Sequence, residues 1–89
     1  MNSKFSIEFS SLATRDLRKI ERSNRAFLIS LATCINSLAD NPYLGKPLKG
    51  DKKGCYSLRD GDYRIIYEIY PSEKVILIIR VGHRKDIYR

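Results

Sequence analysis

The chain has 89 residues, enough for one domain (1–89) and too few for a second core. A 43% hydrophobic content with five glycines and three prolines excludes disordered, collagenous and low-complexity classes. Seventeen Lys and Arg against ten acids leave a net charge of +7, which favours polyanionic partners.

The longest apolar run, Val75 to Ile79, is five residues, where a membrane span needs about twenty, so no membrane partner is expected. Met1-Asn2-Ser3-Lys4-Phe5 contains no apolar stretch of signal-peptide length, which predicts a cytoplasmic protein. Cys34 and Cys55, with a single histidine, provide neither a disulfide framework nor a zinc cluster. Both thiols are read as reduced packing residues, and no metal or cofactor is expected.

Phe5, Ile7 and Phe9 alternate with Lys4, Ser6 and Glu8, the period of a half-buried strand. Ser10 and Ser11 offer helix caps, and Ala13, Leu17 and Ile20 define an apolar stripe, predicting a helix over 11–22. Ser23-Asn24 breaks it. A second helix over 25–40 gathers Phe27, Leu28, Leu31, Cys34, Ile35 and Leu38 on one face and ends at Asn41-Pro42. So short a link predicts an antiparallel helix hairpin.

The period then changes. Cys55–Arg59 and Asp62–Tyr70 read as strands joined by an Asp60-Gly61 turn, which pairs Arg59 with Asp62, Ser57 with Arg64 and Cys55 with Ile66. Parity puts Tyr56, Leu58, Tyr63, Ile65, Tyr67 and Ile69 on one face, and Ser57, Arg59, Asp62, Arg64 and Glu68 on the other. Pro71-Ser72-Glu73-Lys74 turns the chain into a third strand, Val75–Val81, apolar on both sides and therefore central, with its facing open by one residue. The fold class is α+β: an N-terminal strand, an antiparallel helix hairpin, then a three-stranded antiparallel meander with the helices on one sheet face.

The positive charge is concentrated. Residues 44–64 carry six bases and three acids, and 80–89 carry four bases and one acid, so these two segments hold six of the seven net charges. Ser57, Arg59 and Arg64 form a polar patch on the face away from the helices, and the tail is expected to bring His83, Arg84 and Tyr88 to the same concavity.

Gly54-Cys55-Tyr56-Ser57-Leu58-Arg59, Gly61-Asp62-Tyr63-Arg64-Ile65-Ile66-Tyr67-Glu68-Ile69 and Val81-Gly82-His83-Arg84-Lys85-Asp86-Ile87-Tyr88 resemble the RelE branch of the RelE/ParE toxin superfamily. Asn41-Pro42 and Lys46-Pro47-Leu48-Lys49-Gly50 match that family's approach to the sheet. The resemblance implies the toxin of a type II toxin–antitoxin pair, a metal-independent, ribosome-dependent endoribonuclease. Such toxins cleave messenger RNA in the ribosomal A site by attack of the RNA's own 2′-hydroxyl. It also implies a cognate antitoxin, the ribosome with its message, and ribosomal RNA backbone as partners. The family's phosphate-binding and catalytic arginines map onto Arg64 and Arg84 and its C-terminal tyrosine onto Tyr88. His83 stands where members carry histidine or lysine, and Arg59 occupies a position that is basic in relatives. Ser57 departs from a lysine to which some members assign proton abstraction, which leaves the general base open.

The chemistry suits these residue types. Arginine's planar fork grips two phosphate oxygens, and its pKa above about 12 keeps it charged. Each such clamp on a pentacovalent phosphorane is worth roughly 10²–10³-fold in rate. Histidine is the side-chain type whose reference pKa, about 6.5, lies near neutrality, and as acid or base it supplies roughly 10²–10⁴-fold. Tyr88 suits base stacking or orientation of the 2′-hydroxyl. Lys46, Lys49, Lys52, Lys53 and Ser57 are placed against RNA backbone. Structural readings compete with these: an Arg64–Glu68 ion-pair ladder, an ordinary surface histidine, and a tyrosine closing the sheet edge. Two other functions also compete, a ParE-like non-nucleolytic toxin of DNA gyrase and a nucleic-acid-binding module without catalysis.

Overall fold

The computed structural model describes residues 4–50, 54–83 and 85. In chain order these form β1 (Ser6–Phe9), α1 (Ser11–Ser23), α2 (Arg25–Asp40), a 3-10 turn (Pro42–Leu44), β2 (Lys46–Pro47), β3 (Cys55–Asp60), β4 (Tyr63–Tyr70) and β5 (Val75–His83).

The helices begin and end where local chemistry directs. Ser10 Oγ accepts from the Ala13 amide at 3.0 Å and caps α1. Asn24 closes one helix and opens the next: its own N–H donates to Ile20 O at 2.7 Å, while its side chain accepts from the Phe27 amide at 3.2 Å. One residue therefore makes the corner of the helix hairpin.

The fold is α+β, as the patterning predicts. The sheet has five strands in the order β1-β5-β4-β3-β2. β3, β4 and β5 form the expected antiparallel meander, with β5 inside the sheet. Two pairings were not anticipated. β1 runs parallel to β5, and β2 adds an antiparallel edge to β3.

The core lies between the helices and one sheet face. Ala13, Ile20, Leu31, Ile35 and Leu38 pack with Ile65, Tyr67, Ile76, Ile78 and Val81, all buried. Each fully buried large aliphatic contributes roughly 1.5–3 kcal/mol.

The β3–β4 register corrects the expected one. Asp60 pairs with Tyr63, Arg59 with Arg64, Ser57 with Ile66 and Cys55 with Glu68. The turn is centred on Gly61-Asp62, not Asp60-Gly61. Gly61 takes φ +62 at the first central position and Asp62 is not left-handed, the pattern of a type II′ turn. Every partner moves by two positions, so the parity of each strand survives, and with it the separation of Ser57, Arg59 and Arg64 from the apolar face.

β5 carries a bulge. Tyr67 pairs with Ile78 but Ile66 pairs with Arg80, leaving Ile79 as the extra residue. Ile76 and Ile78 face the helices before the bulge, and Val81 faces them after it. An unbroken strand would have turned Arg80 inward and Val81 outward.

Candidate functional site

Three segments converge on the face away from the helices. β3 supplies Ser57 and Arg59, β4 supplies Arg64, and β2 supplies Lys46, which pairs with Ser57. Together with Leu44, Gly45, Pro47, Leu48 and Leu58 they line a groove of about 470 Å³. Its lining holds three cationic side chains and no carboxylate.

The wall of this groove is held from the core. The Tyr67 hydroxyl donates to Pro42 O at 2.8 Å and accepts from the Gly45 amide at 2.9 Å. Burial pushes the Tyr67 pKa up, so the phenol stays protonated and able to donate. A Cβ at residue 45 would meet that hydroxyl at 2.7 Å and Ser57 O at 2.8 Å, so only glycine lets the segment before β2 lie this close to β3.

Arg59 and Arg64 face each other across the hairpin, where like charges destabilise a sheet. Arg59 is exposed and its Nε donates to Gly61 O at 3.2 Å. Arg64 is half-buried. Its Nη1 is buried and has no hydrogen-bond acceptor among the described residues. No Arg64–Glu68 ladder forms: the Glu68 carboxylate accepts from the Tyr70 hydroxyl at 2.8 Å. Next to Arg64 across the sheet lies Gly82, where a Cβ would meet nothing within 4 Å. Arg64 thus lines the groove with a guanidinium whose buried nitrogen lacks an acceptor among the described residues, a donor that suits a phosphate oxygen once the groove is occupied.

His83 does not join this concavity, which corrects the expectation for that residue. It pairs with Tyr63, and the two rings meet edge-on with centroids 5.7 Å apart. Tyr63 in turn packs on Phe27 of α2 at 4.5 Å, so His83 stands on the helix side. There it borders a cavity of about 120 Å³ with Asp16, Lys19, Ser23, Tyr63 and Arg80. Its Nδ1 accepts from the Lys85 amide at 3.2 Å. The bulge is the cause, since it reverses the facing of every residue after Ile79. Lys49 is exposed beyond β2 and lines a neighbouring groove with Leu48, Gly50 and Tyr56. Arg84, Tyr88, Lys52 and Lys53 lie outside the described residues.

Nothing in the sequence around Asp16 singles it out. β1 covers β5 only as far as Ile78, and beyond it the outer edge of β5 is covered by α1. Ser10 Oγ donates to Ile79 O at 2.7 Å. Asp16 Oδ2 accepts from the Val81 amide and from Arg80 Nε, both at 2.9 Å, and Oδ1 accepts from Arg80 Nη2 at 3.2 Å. That hydrogen bonding raises the Arg80 pKa, against the opposing effect of burial. The carboxylate thus fixes β5 one residue before Gly82-His83. No local signal marks it, because its partners are 64 and 65 residues away.

Both the sequence and the fold match known proteins. Residues 7–88 match the family model described as ParE toxin of type II toxin-antitoxin system, parDE. The chain is 36% identical to Toxin RelG of Mycobacterium tuberculosis (strain ATCC 25618 / H37Rv) over 86 residues, covering 96% of this chain and 97% of that one. It is 33% identical to Toxin RelE of the same organism, over 96% and 87% of the two chains. The crystal structure of the toxin–antitoxin complex RelBE2 from Mycobacterium tuberculosis superposes with a TM-score of 0.82 at 32% identity, over 93% of this chain and 94% of that chain. The chain belongs to the RelE/ParE superfamily of type II toxin–antitoxin toxins.

Proposed function

We propose that this toxin is an endoribonuclease that cleaves messenger RNA in the ribosomal A site, with the 2′-oxygen of one nucleotide attacking the adjacent phosphorus. The observation that carries this reading is Arg64, which lines a groove with Lys46, Ser57 and Arg59 and whose buried Nη1 lacks an acceptor among the described residues. Arg64 grips a non-bridging oxygen of the scissile phosphate, and Arg59 and Lys46 neutralise charge on it and on the flanking backbone. The 2′-oxygen bonds to phosphorus as the P–O5′ bond breaks, so one proton must leave the 2′-oxygen and one must reach the 5′-oxygen. His83 is the acid–base group in this reading, and Arg84 and Tyr88 complete the site from the tail. Catalysis by His83 requires the end of β5 to release the imidazole from Tyr63 and bring it round to the groove. Lys49, Lys52 and Lys53 extend the contact along ribosomal RNA.

The partner of the resting toxin is a cognate antitoxin. Support comes from the related RelBE2 structure, itself a toxin–antitoxin complex, and from a net charge of +7 suited to an acidic segment that folds on contact.

Toeprinting on programmed ribosomes tests the reading. Wild-type protein is expected to cut an unmodified A-site codon and to leave the same codon uncut when it carries 2′-O-methyl groups. Cutting of both messages would overturn 2′-oxygen attack. No cutting of either, combined with inhibition of gyrase supercoiling, would assign the protein to the non-nucleolytic branch.

A further inference from the structure

α1 carries an arrangement that neither the core nor the groove explains. Arg15, Arg18, Lys19 and Arg22 recur at i, i+3, i+4 and i+7, all exposed. At 3.6 residues per turn they fall within an arc of about 100° whose centre lies opposite Ala13, Leu17 and Ile20. None of the four has an ion-pair partner among the described residues. Of the two carboxylates on α1, Asp16 is engaged by Arg80 and Val81, and Glu21 lies outside the arc on the side facing α2.

Helix stability does not account for this stripe. Like charges three and four residues apart repel. Only Arg22, in the last turn, is favourably placed for the helix dipole. An apolar partner does not account for the whole stripe either: Arg18 borders the apolar groove between α1 and α2, but Arg15, Lys19 and Arg22 do not, and the shallow groove between the four side chains is lined by them and Ser23 alone. A peptide that folds on contact needs apolar anchors. A row of unneutralised cations spread over roughly 10 Å of helix axis needs only a row of anions.

The stripe leads toward the site. Lys19 and Ser23 also line the cavity that holds His83 and Arg80. Cations therefore run from the outer face of α1 to the end of β5, with the Arg59–Arg64 groove on the far side of the sheet.

We propose that the outer face of α1 is a second RNA-backbone contact, formed by Arg15, Arg18, Lys19 and Arg22 on the opposite side of the sheet from the Arg64 groove. The proposal rests on the RNA-directed reading above and extends it: the toxin is held by phosphates on both faces, with the end of β5 between them.

The test compares wild-type protein with a variant carrying Arg15→Gln, Arg18→Gln, Lys19→Gln and Arg22→Gln. Glutamine is a good helix former, so α1 is retained, and circular dichroism checks this. Binding to message-programmed ribosomes is measured between 50 and 200 mM salt. The variant is expected to bind at least about tenfold more weakly, with a log K against log salt slope shallower by roughly 1.5–3, as for two to four lost phosphate contacts. A second variant, with Arg15, Arg18 and Arg22 each changed to Lys, retains the charge and should recover most of the slope. Unchanged affinity and slope in the glutamine variant would overturn the proposal. So would an unchanged slope accompanied by weakened antitoxin binding, which would assign the stripe to a protein partner. Cleavage by wild-type protein and by Arg64→Ala is measured alongside: no cutting by wild type would overturn the cleavage reading, and wild-type rates in Arg64→Ala would overturn the role of Arg64, both by a readout separate from the slope comparison.

Discussion

Arg64 combines two features that cost stability. It faces Arg59 across the hairpin, and its Nη1 is buried without an acceptor among the described residues. Like charges directly opposite on a sheet cost roughly 0.2–1 kcal/mol, and an unsatisfied buried donor about 1–3 kcal/mol. Such expense at one position is characteristic of sites kept for binding. Arg64→Leu is therefore expected to stabilise the fold by about 1 kcal/mol in urea denaturation while removing cleavage. A variant less stable than wild type would show that the guanidinium is a structural group. Leu44 and Leu48 line the groove with Arg64 and give the new side chain an apolar setting.

At the scale of elements, β5 determines what the site contains. Its bulge at Ile79 turns Val81 into the core and His83 toward the helices, and Asp16 holds the strand just past that point. Asp16→Ala removes three accepted hydrogen bonds, two of them from Arg80, whose partial exposure lets water replace some of the loss. We expect a cost of about 1–3 kcal/mol and fast hydrogen exchange at the Val81 amide. Asp16→Asn, which keeps an acceptor, should lose less. A change within about 0.5 kcal/mol, as for an ordinary surface substitution, would contradict the assignment.

The same strand marks the limit of what the sequence discloses. The helices were legible because their signals are local: Ser10, Asn24 and Asn41-Pro42 act within a few residues of themselves. The polar face was legible because strand parity survives the hairpin slip from Asp60-Gly61 to Gly61-Asp62. Arg59, Arg64 and Ser57 could thus be placed together, and Lys46 joined them through an edge strand that two residues could not announce. The parallel pairing of β1 with β5 and the role of Asp16 were not legible, since each depends on partners more than sixty residues away. The facing of His83 was not legible either, because a bulge leaves no residue pattern in a run as uniformly apolar as Val75-Ile76-Leu77-Ile78-Ile79.

For the whole molecule, the net charge of +7 is the governing quantity. Both proposed RNA contacts and the proposed acidic antitoxin draw on it, so the two kinds of partner are expected to compete. Association with an acidic antitoxin is expected to slow roughly tenfold or more between low and high ionic strength, as charge screening shortens the range of attraction. Stopped-flow mixing at several salt concentrations measures this. A rate independent of salt would indicate that apolar contacts alone guide the encounter.

The central claim is that Arg64 binds the scissile phosphate where charge develops. Single-turnover cleavage of an A-site codon by wild-type, Arg64→Lys and Arg64→Ala proteins tests it most directly. The account predicts a fall of roughly 10²–10³-fold in the rate of the chemical step for Arg64→Ala, with Arg64→Lys intermediate because it keeps the charge and loses the fork. Equal rates for all three proteins would contradict it.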